Sequence, residues 1–184
     1  VPKVWIDELQ LRTSLSPDLK SANVGVVGII DNAFAESQRK DTTAVVQLLN
    51  SRYRFWFGLY DKLTSSLVAK SREEDVSVAR RKTSKVESEI NLSNPKLWRP
   101  ESPELYTLKA YLIKDGVLFD EFDLSAGIRE VSIKGTDIYL NGSKLFLQGV
   151  LWREDHPEYG SAMTYDALEK DILLIKSLGA NVIR

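Results

Sequence analysis

The chain has 184 residues, 43% of them apolar and 28% charged, with a formal net charge of −1. This is the composition of an ordinary globular protein of one domain or a small pair. A near-zero charge argues against nucleic acid as a partner, because phosphate binding needs a positive excess. The densest basic run, Arg80-Arg81-Lys82, reads as a solvated turn. No apolar stretch approaches the roughly 20 residues of a membrane span. With no cysteine and a single histidine, disulfides, thiolate metal sites and multi-histidine zinc sites are excluded. The lack of cysteine leaves the compartment open; a periplasmic or secreted location is preferred to a cytoplasmic one.

Period-two alternation with turn residues between segments dominates the first 125 residues and predicts strands. Val4 to Thr13 alternates, and Val24 to Ile30 is a continuous apolar run. Residues 33–52 read either as a short helix, capped by Asp41 and running through Val45, Val46, Leu48 and Leu49, or as an extra edge strand. The helix is preferred. Tyr53 to Tyr60 is strongly aromatic. Its alternate side chains are expected in a core rather than on a sugar-stacking platform. Leu67 to Ala79 is patchier. Val86, Ser88, Ile90 and Leu92 share one face of a further strand, with Glu87, Glu89 and Asn91 on the other.

Prolines 95, 100 and 103 forbid a central strand over residues 94–103. Leu105 to Ile113 and Val117 to Leu124 form a hairpin through Asp115-Gly116, a pair suited to positive φ. About seven short antiparallel strands in roughly 120 residues suggest an immunoglobulin-like β-sandwich over residues 1–125.

The pattern changes over residues 126–184. Asn141-Gly142 marks a second tight hairpin, between Asp137–Leu140 and Lys144–Leu147. Leu145 to Leu151 reads as a buried strand. A loop from Trp152 to Ser161 follows, and then a helix with Thr164 as N-cap and Asp166 in its first turn. Leu168, Ile172, Leu174, Ile175 and Leu178 make its apolar stripe, and Gly179 its C-terminal cap. Ala180 to Ile183 begins another apolar run. Strand, loop, helix, strand is the first β-α-β unit of a (β/α)8 barrel. The chain opens Val1-Pro2 and closes Asn181-Val182-Ile183-Arg184, inside that run, so it is expected to be a piece of something larger.

Several of these segments together carry a resemblance. They are Asn94-Pro-Lys-Leu-Trp-Arg-Pro-Glu-Ser-Pro-Glu-Leu-Tyr-Thr-Leu; Gly127-Ile-Arg-Glu-Val; Leu140-Asn-Gly with Leu147-Gln-Gly-Val; His156-Pro-Glu-Tyr-Gly; Asp171-Ile-Leu-Leu-Ile-Lys; and Asn181-Val-Ile-Arg184. In this order and spacing, residues 90–184 resemble family 2 glycoside hydrolases, which include β-galactosidases, β-glucuronidases and β-mannosidases. The resemblance implies a sugar-binding jelly roll, then this sandwich, then a barrel that holds two catalytic glutamates. One glutamate protonates the leaving oxygen while the other attacks the anomeric carbon. The family's acid/base follows an asparagine, and none of the seven asparagines here precedes Glu. Both glutamates are therefore expected outside this chain, and residues 126–184 fall far short of the roughly 250 a barrel needs.

The resemblance also singles out residues. Arg184 matches the arginine that steadies the nucleophile glutamate from the end of the second barrel strand. The loop Trp152-Arg153-Glu154-Asp155-His156 matches a stretch that touches the sugar, often Asn-Arg-His-Glu-His-His-Pro. Glu154, His156 and Pro157 agree with it. Leu151, Trp152 and Arg153 replace Asn, Arg and the first His. Arg153 suits an acidic or differently oriented substrate, or a plain surface ion pair. Trp152 is expected to pack rather than to stack on sugar. His156 is expected to be structural, and adjacent Glu154 and Asp155 cannot face one another as a retaining pair. Trp98 is expected to pack near the linker.

The expected function is scaffolding within a retaining glycosidase of terminal β-linked sugars, foremost a β-galactosidase, with these 184 residues inactive alone. No cofactor is implied. The expected partners are a carbohydrate substrate and the parent's own jelly-roll and barrel domains, with a homo-oligomer left open. A stand-alone carbohydrate-binding or adhesion sandwich is the alternative.

Overall fold

A computed structural model describes residues 4–33 and 50–184. The chain divides into two compact units, Val1–Val131 and Ser132–Arg184. The helix expected over Asp41 to Leu49 lies outside the described residues.

The first unit is a β-sandwich. One sheet has the order β1-β2-β6, from strands Val4–Leu15, Ser21–Asn32 and Thr83–Ser93. In the other, β3 (Asn50–Asp61) pairs with β7 (Tyr106–Lys114), and β7 with β8 (Val117–Ala126). The far edge of β3 is shared by β4 (Leu67–Lys70) and β5 (Glu74–Ala79), laid end to end. The patchy reading of residues 67–79 thus resolves into one interrupted edge. Buried Ser71 bridges the interruption, accepting from the Phe57 N–H at 3.0 Å through Oγ.

Alternation decides what is inside. Tyr53, Phe55, Phe57 and Leu59 of β3 meet Val24, Val26 and Ile30 of β2, together with Leu108 and Leu112 of β7, in a continuous core. Val86, Ser88, Ile90 and Leu92 of β6 are buried and Glu87, Glu89 and Asn91 exposed, as expected. Asp115 and Gly116 both take positive φ, at 51° and 78°, which turns β7 into β8 with the right-handed twist of the strands. At the sandwich edge, carboxylates cap the free backbone of β1. Asp120 accepts from the Ile6 N–H at 2.7 Å and Glu130 from the Leu15 N–H at 2.8 Å. Half-buried Trp98 donates its backbone N–H to Ile128 at 2.9 Å, and the Arg129 guanidinium lies 4.9 Å from its ring centroid.

The second unit begins within β9 (Val131–Lys134), which forms an antiparallel sheet with β10 (Asp137–Leu140) and β11 (Ser143–Leu145), in the order β11-β10-β9. Asn141 and Gly142, at φ 50° and 74°, turn β10 into β11. The next strand is shorter and less buried than expected. Leu145 closes β11, only Gly149–Val150 (β12) of the remainder is regular, and Phe146, Leu147 and Leu151 are exposed. The reason is that, among the described residues, β12 has a single strand neighbour, β13 (Val182–Ile183), which runs parallel to it. Helix α1 (Tyr165–Ser177) connects them.

Thr164 caps α1 by accepting from the Ala167 N–H, Asp166 sits in the first turn, and Gly179 takes φ 82° just beyond the end. The apolar stripe is wider than what covers it. Leu168 and Ile175 are half-buried, whereas Ile172, Leu174 and Leu178 are exposed, because a two-stranded sheet shields only one row of the helix.

Candidate functional site at the ends of the parallel strands

In a parallel β/α arrangement, groups at the C-terminal ends of the strands are the ones that act. Here those ends are residues 151–156 after β12 and Arg184 after β13. The register pairs Gly149 with Val182 and Val150 with Ile183. The ladder continues beyond them: the Arg184 N–H donates to Val150 at 3.0 Å, and the Trp152 N–H donates to Arg184 at 2.9 Å.

Side chains on a strand alternate between two faces. A Cβ added to Gly149 would fall against Val182 Cγ1. Gly149 and Val182 therefore share a face, and counting by two adds Leu151 and Arg184 to it. Val150, Trp152 and Ile183 take the other face. That face belongs to the helix, since the Trp152 indole donates to Asp171 of α1 at 3.2 Å. Arg184 thus lies on the face turned away from α1, which in a closed barrel is the inside.

The loop residues are arranged differently. Arg153 and Glu154 are exposed. Among the described residues no hydrogen bond or ion pair joins their side chains to Arg184 or His156. His156 is committed to its own turn. Its backbone exchanges hydrogen bonds with Gly160, its Nδ1 accepts from the Glu158 N–H at 3.2 Å, and its ring stacks on Tyr159 at 4.8 Å. Trp152 packs against the helix, as expected.

The aromatic run supplies no sugar platform. Tyr53, Phe55 and Phe57 are buried. Outward-facing Trp56 stacks on Tyr111 at 4.2 Å, and Lys70, from the strand on the other side of β3, sits 4.1 Å from the ring centroid. Both faces of the indole are therefore covered. Tyr111 also meets the Tyr60 hydroxyl at 3.1 Å; burial, then that hydrogen bond, raises its phenol above the usual range.

Open clefts of about 270, 290 and 450 Å³ indent the sandwich. In the first, Arg12 and Arg72 lie with Glu87 and Glu89, so its charges offset one another. The second contains the Lys96–Asp61 ion pair, at 2.7 Å. Among the described residues there is no cluster of three His, Asp or Glu side chains able to hold a metal, and no helix long and apolar enough to cross a membrane.

Sequence reasoning assigned no role to Gly149, Asp171 or Asn181, although all three lie in the quoted motifs. Only the partner strand and helix reveal what they touch.

A sandwich followed by a parallel β-α-β unit is the architecture of one family of sugar-cleaving enzymes. Residues 4–129 match the family described as glycosyl hydrolases family 2, and residues 131–184 match its TIM barrel domain. The chain belongs to glycosyl hydrolases family 2. The β-galactosidase of Yersinia pestis bv. Antiqua (strain Angola) is 28% identical over 184 residues, which is 100% of this chain and 17% of that protein. The chain therefore spans about one sixth of that relative's length. A glycosyl hydrolase family 2 member from Bacteroides cellulosilyticus superimposes with a TM-score of 0.81 at 22% identity, over 99% of this chain and 22% of its own. A Bacteroides uniformis β-glucuronidase does so with a TM-score of 0.76 at 22% identity, over 100% of this chain and 21% of its own.

Proposed function

We propose that residues 1–125 serve as the immunoglobulin-like scaffold, and residues 126–184 as the opening β-α-β of the barrel, of a retaining exo-glycosidase that removes terminal β-linked sugars. The observation that carries this reading is Arg184, at the C-terminal end of a parallel strand and on the face away from the helix. There a guanidinium can hold a carboxylate nucleophile with two parallel hydrogen bonds. In this reading the two glutamates lie outside these residues. Arg184 steadies the nucleophile, Arg153 and Glu154 border the sugar, and His156 stiffens the loop that carries them. The curated relatives named β-galactosidase favour a β-galactoside as substrate.

Hydrolysis of aryl β-galactosides and aryl β-glucuronides by pure protein tests this. The 184 residues alone are expected to be inactive, and turnover by them would overturn the reading. A longer protein that carries them should release the aglycone of a β-galactoside with retention of configuration. A protein inactive on every aryl β-glycoside, yet saturably binding a simple sugar, would favour the carbohydrate-binding sandwich instead.

A further inference from the structure

The position of Arg184 depends on register. A strand that slips by one residue turns every side chain to its other face. With only two regular residues in each of β12 and β13, the backbone ladder alone specifies this register weakly.

A side chain supplies what the ladder lacks. The Asn181 carboxamide accepts from the Gln148 N–H at 2.8 Å through Oδ1 and donates to the Phe146 carbonyl at 2.8 Å through Nδ2. Its own backbone N–H donates to the Gln148 carbonyl at 2.8 Å. One residue thus grips three backbone groups of the segment leading into β12. Because the carboxamide presents both a donor and an acceptor, it satisfies the neighbour as another strand would. Gly149 adds a second lock, since the close approach of Val182 fits only a residue without Cβ.

We propose that Asn181 is a positioning residue for Arg184: its carboxamide sets the register of β13 on β12 and so selects the face that Arg184 presents. That Arg184 serves a glycosidase rests on the reading above; the register lock does not.

The chain has no cysteine, so the register can be read by paired substitution. Continuing the register puts Leu151 opposite Arg184. Neighbouring strands lie about 4.8 Å apart, within disulfide range. Leu151→Cys with Arg184→Cys should cross-link within one chain under mild oxidation, and Leu151→Cys with Ile183→Cys, on opposite faces, should not. Adding Asn181→Ala should lower the first yield and raise the second, while near-ultraviolet circular dichroism shows the sandwich intact. Yields unchanged by Asn181→Ala would overturn the proposal.

In a longer, active protein, Asn181→Ala should lower kcat about 100-fold, the order a misplacement of 1 Å produces, with KM changed far less. Asn181→Asp, which keeps the acceptor for Gln148, should recover part of that loss. Equal changes in kcat and KM, with no recovery, would refute a positioning role. An inactive parent with Asn181-dependent cross-linking would sink the proposed function and leave the register lock standing.

Discussion

Gly28→Ala tests how tightly the sandwich core is closed. Gly28 lies on β2 between Leu9 of β1 and Val86 of β6, on the inward face. A Cβ there would stand 2.9 Å from Phe55 Cε2, 3.0 Å from Phe55 Cζ and 3.2 Å from Val86 Cγ1. Carbons rest at about 3.5–4.0 Å, so the Phe55 ring must retreat by roughly half an ångström. The ring is fully buried, with Tyr53, Phe57 and Leu59 of its own strand also in the core. Overpacking of this kind costs about 1–3 kcal/mol. Loss of glycine's freedom in the unfolded chain offsets about 0.4–1 kcal/mol of that. The steric cost exceeds the offset through most of that range, and its middle leaves a net loss of about 1–2 kcal/mol. At about 2–4 °C per kcal/mol for a chain of this size, Tm should fall by about 2–8 °C.

Urea unfolding should show a lower midpoint with an unchanged slope. Gly25→Ala is the internal control. Gly25 also lies on β2, but its nearest neighbour would be the Arg12 carbonyl oxygen at 3.9 Å, so its stability should stay level or rise. In Gly28→Ala combined with Phe55→Leu, the loss should be smaller than the sum of the single losses by about 1 kcal/mol. A Gly28→Ala variant as stable as the parent, or a strictly additive pair, would refute the reasoning.

Three other outcomes are expected. The Asp61 carboxylate accepts from Lys96 Nζ at 2.7 Å and from the Leu63 and Thr64 N–H groups at 2.9 Å; the Lys96 hydrogen bond first, then those of Thr64 and Leu63, hold its pKa well below the usual range. A depressed native pKa stabilises the fold above the unfolded value of about 3.9 and is lost as pH falls through the native one. Asp61→Asn should therefore be less stable at pH 7 in urea titrations, and the gap should narrow below about pH 4; a gap constant with pH would contradict this. Gly116→Ala, at φ 78° with nothing within 4 Å, should cost about 1 kcal/mol from backbone strain alone, read as a lower Tm. Trp152→Phe removes the hydrogen bond to Asp171 and should loosen α1 by about 0.5–1.5 kcal/mol, read as faster amide exchange in the helix with the sandwich unchanged.

Some features were legible because their causes are local. Asp115-Gly116 and Asn141-Gly142 turn chains wherever they stand, since positive φ is a property of those residues. The strict alternation of β6 fixed its buried face, and Thr164 with Gly179 bounded α1, for the same reason. Family motifs carried Arg184 and the loop after β12 into view without saying which neighbours within this chain hold them.

Other features required partners distant in sequence. That Leu67–Lys70 and Glu74–Ala79 share one edge of β3 depends on pairings across the sheet. Leu145 to Leu151 is apolar enough for a core, yet its exposure is set by how many strands flank it. An aromatic outward position such as Trp56 became structural only once Tyr111 and Lys70 covered both its faces. Asn181 reads in the sequence as one polar residue before a strand, and its grip on residues 146 and 148 appears only in three dimensions. The sequence by itself determined most of the strands, the two tight turns, helix α1 and the kinship, because propensity and patterning act over a few residues. Tertiary structure alone decided which face Arg184 presents, because register is a relation between two strands separated by a helix.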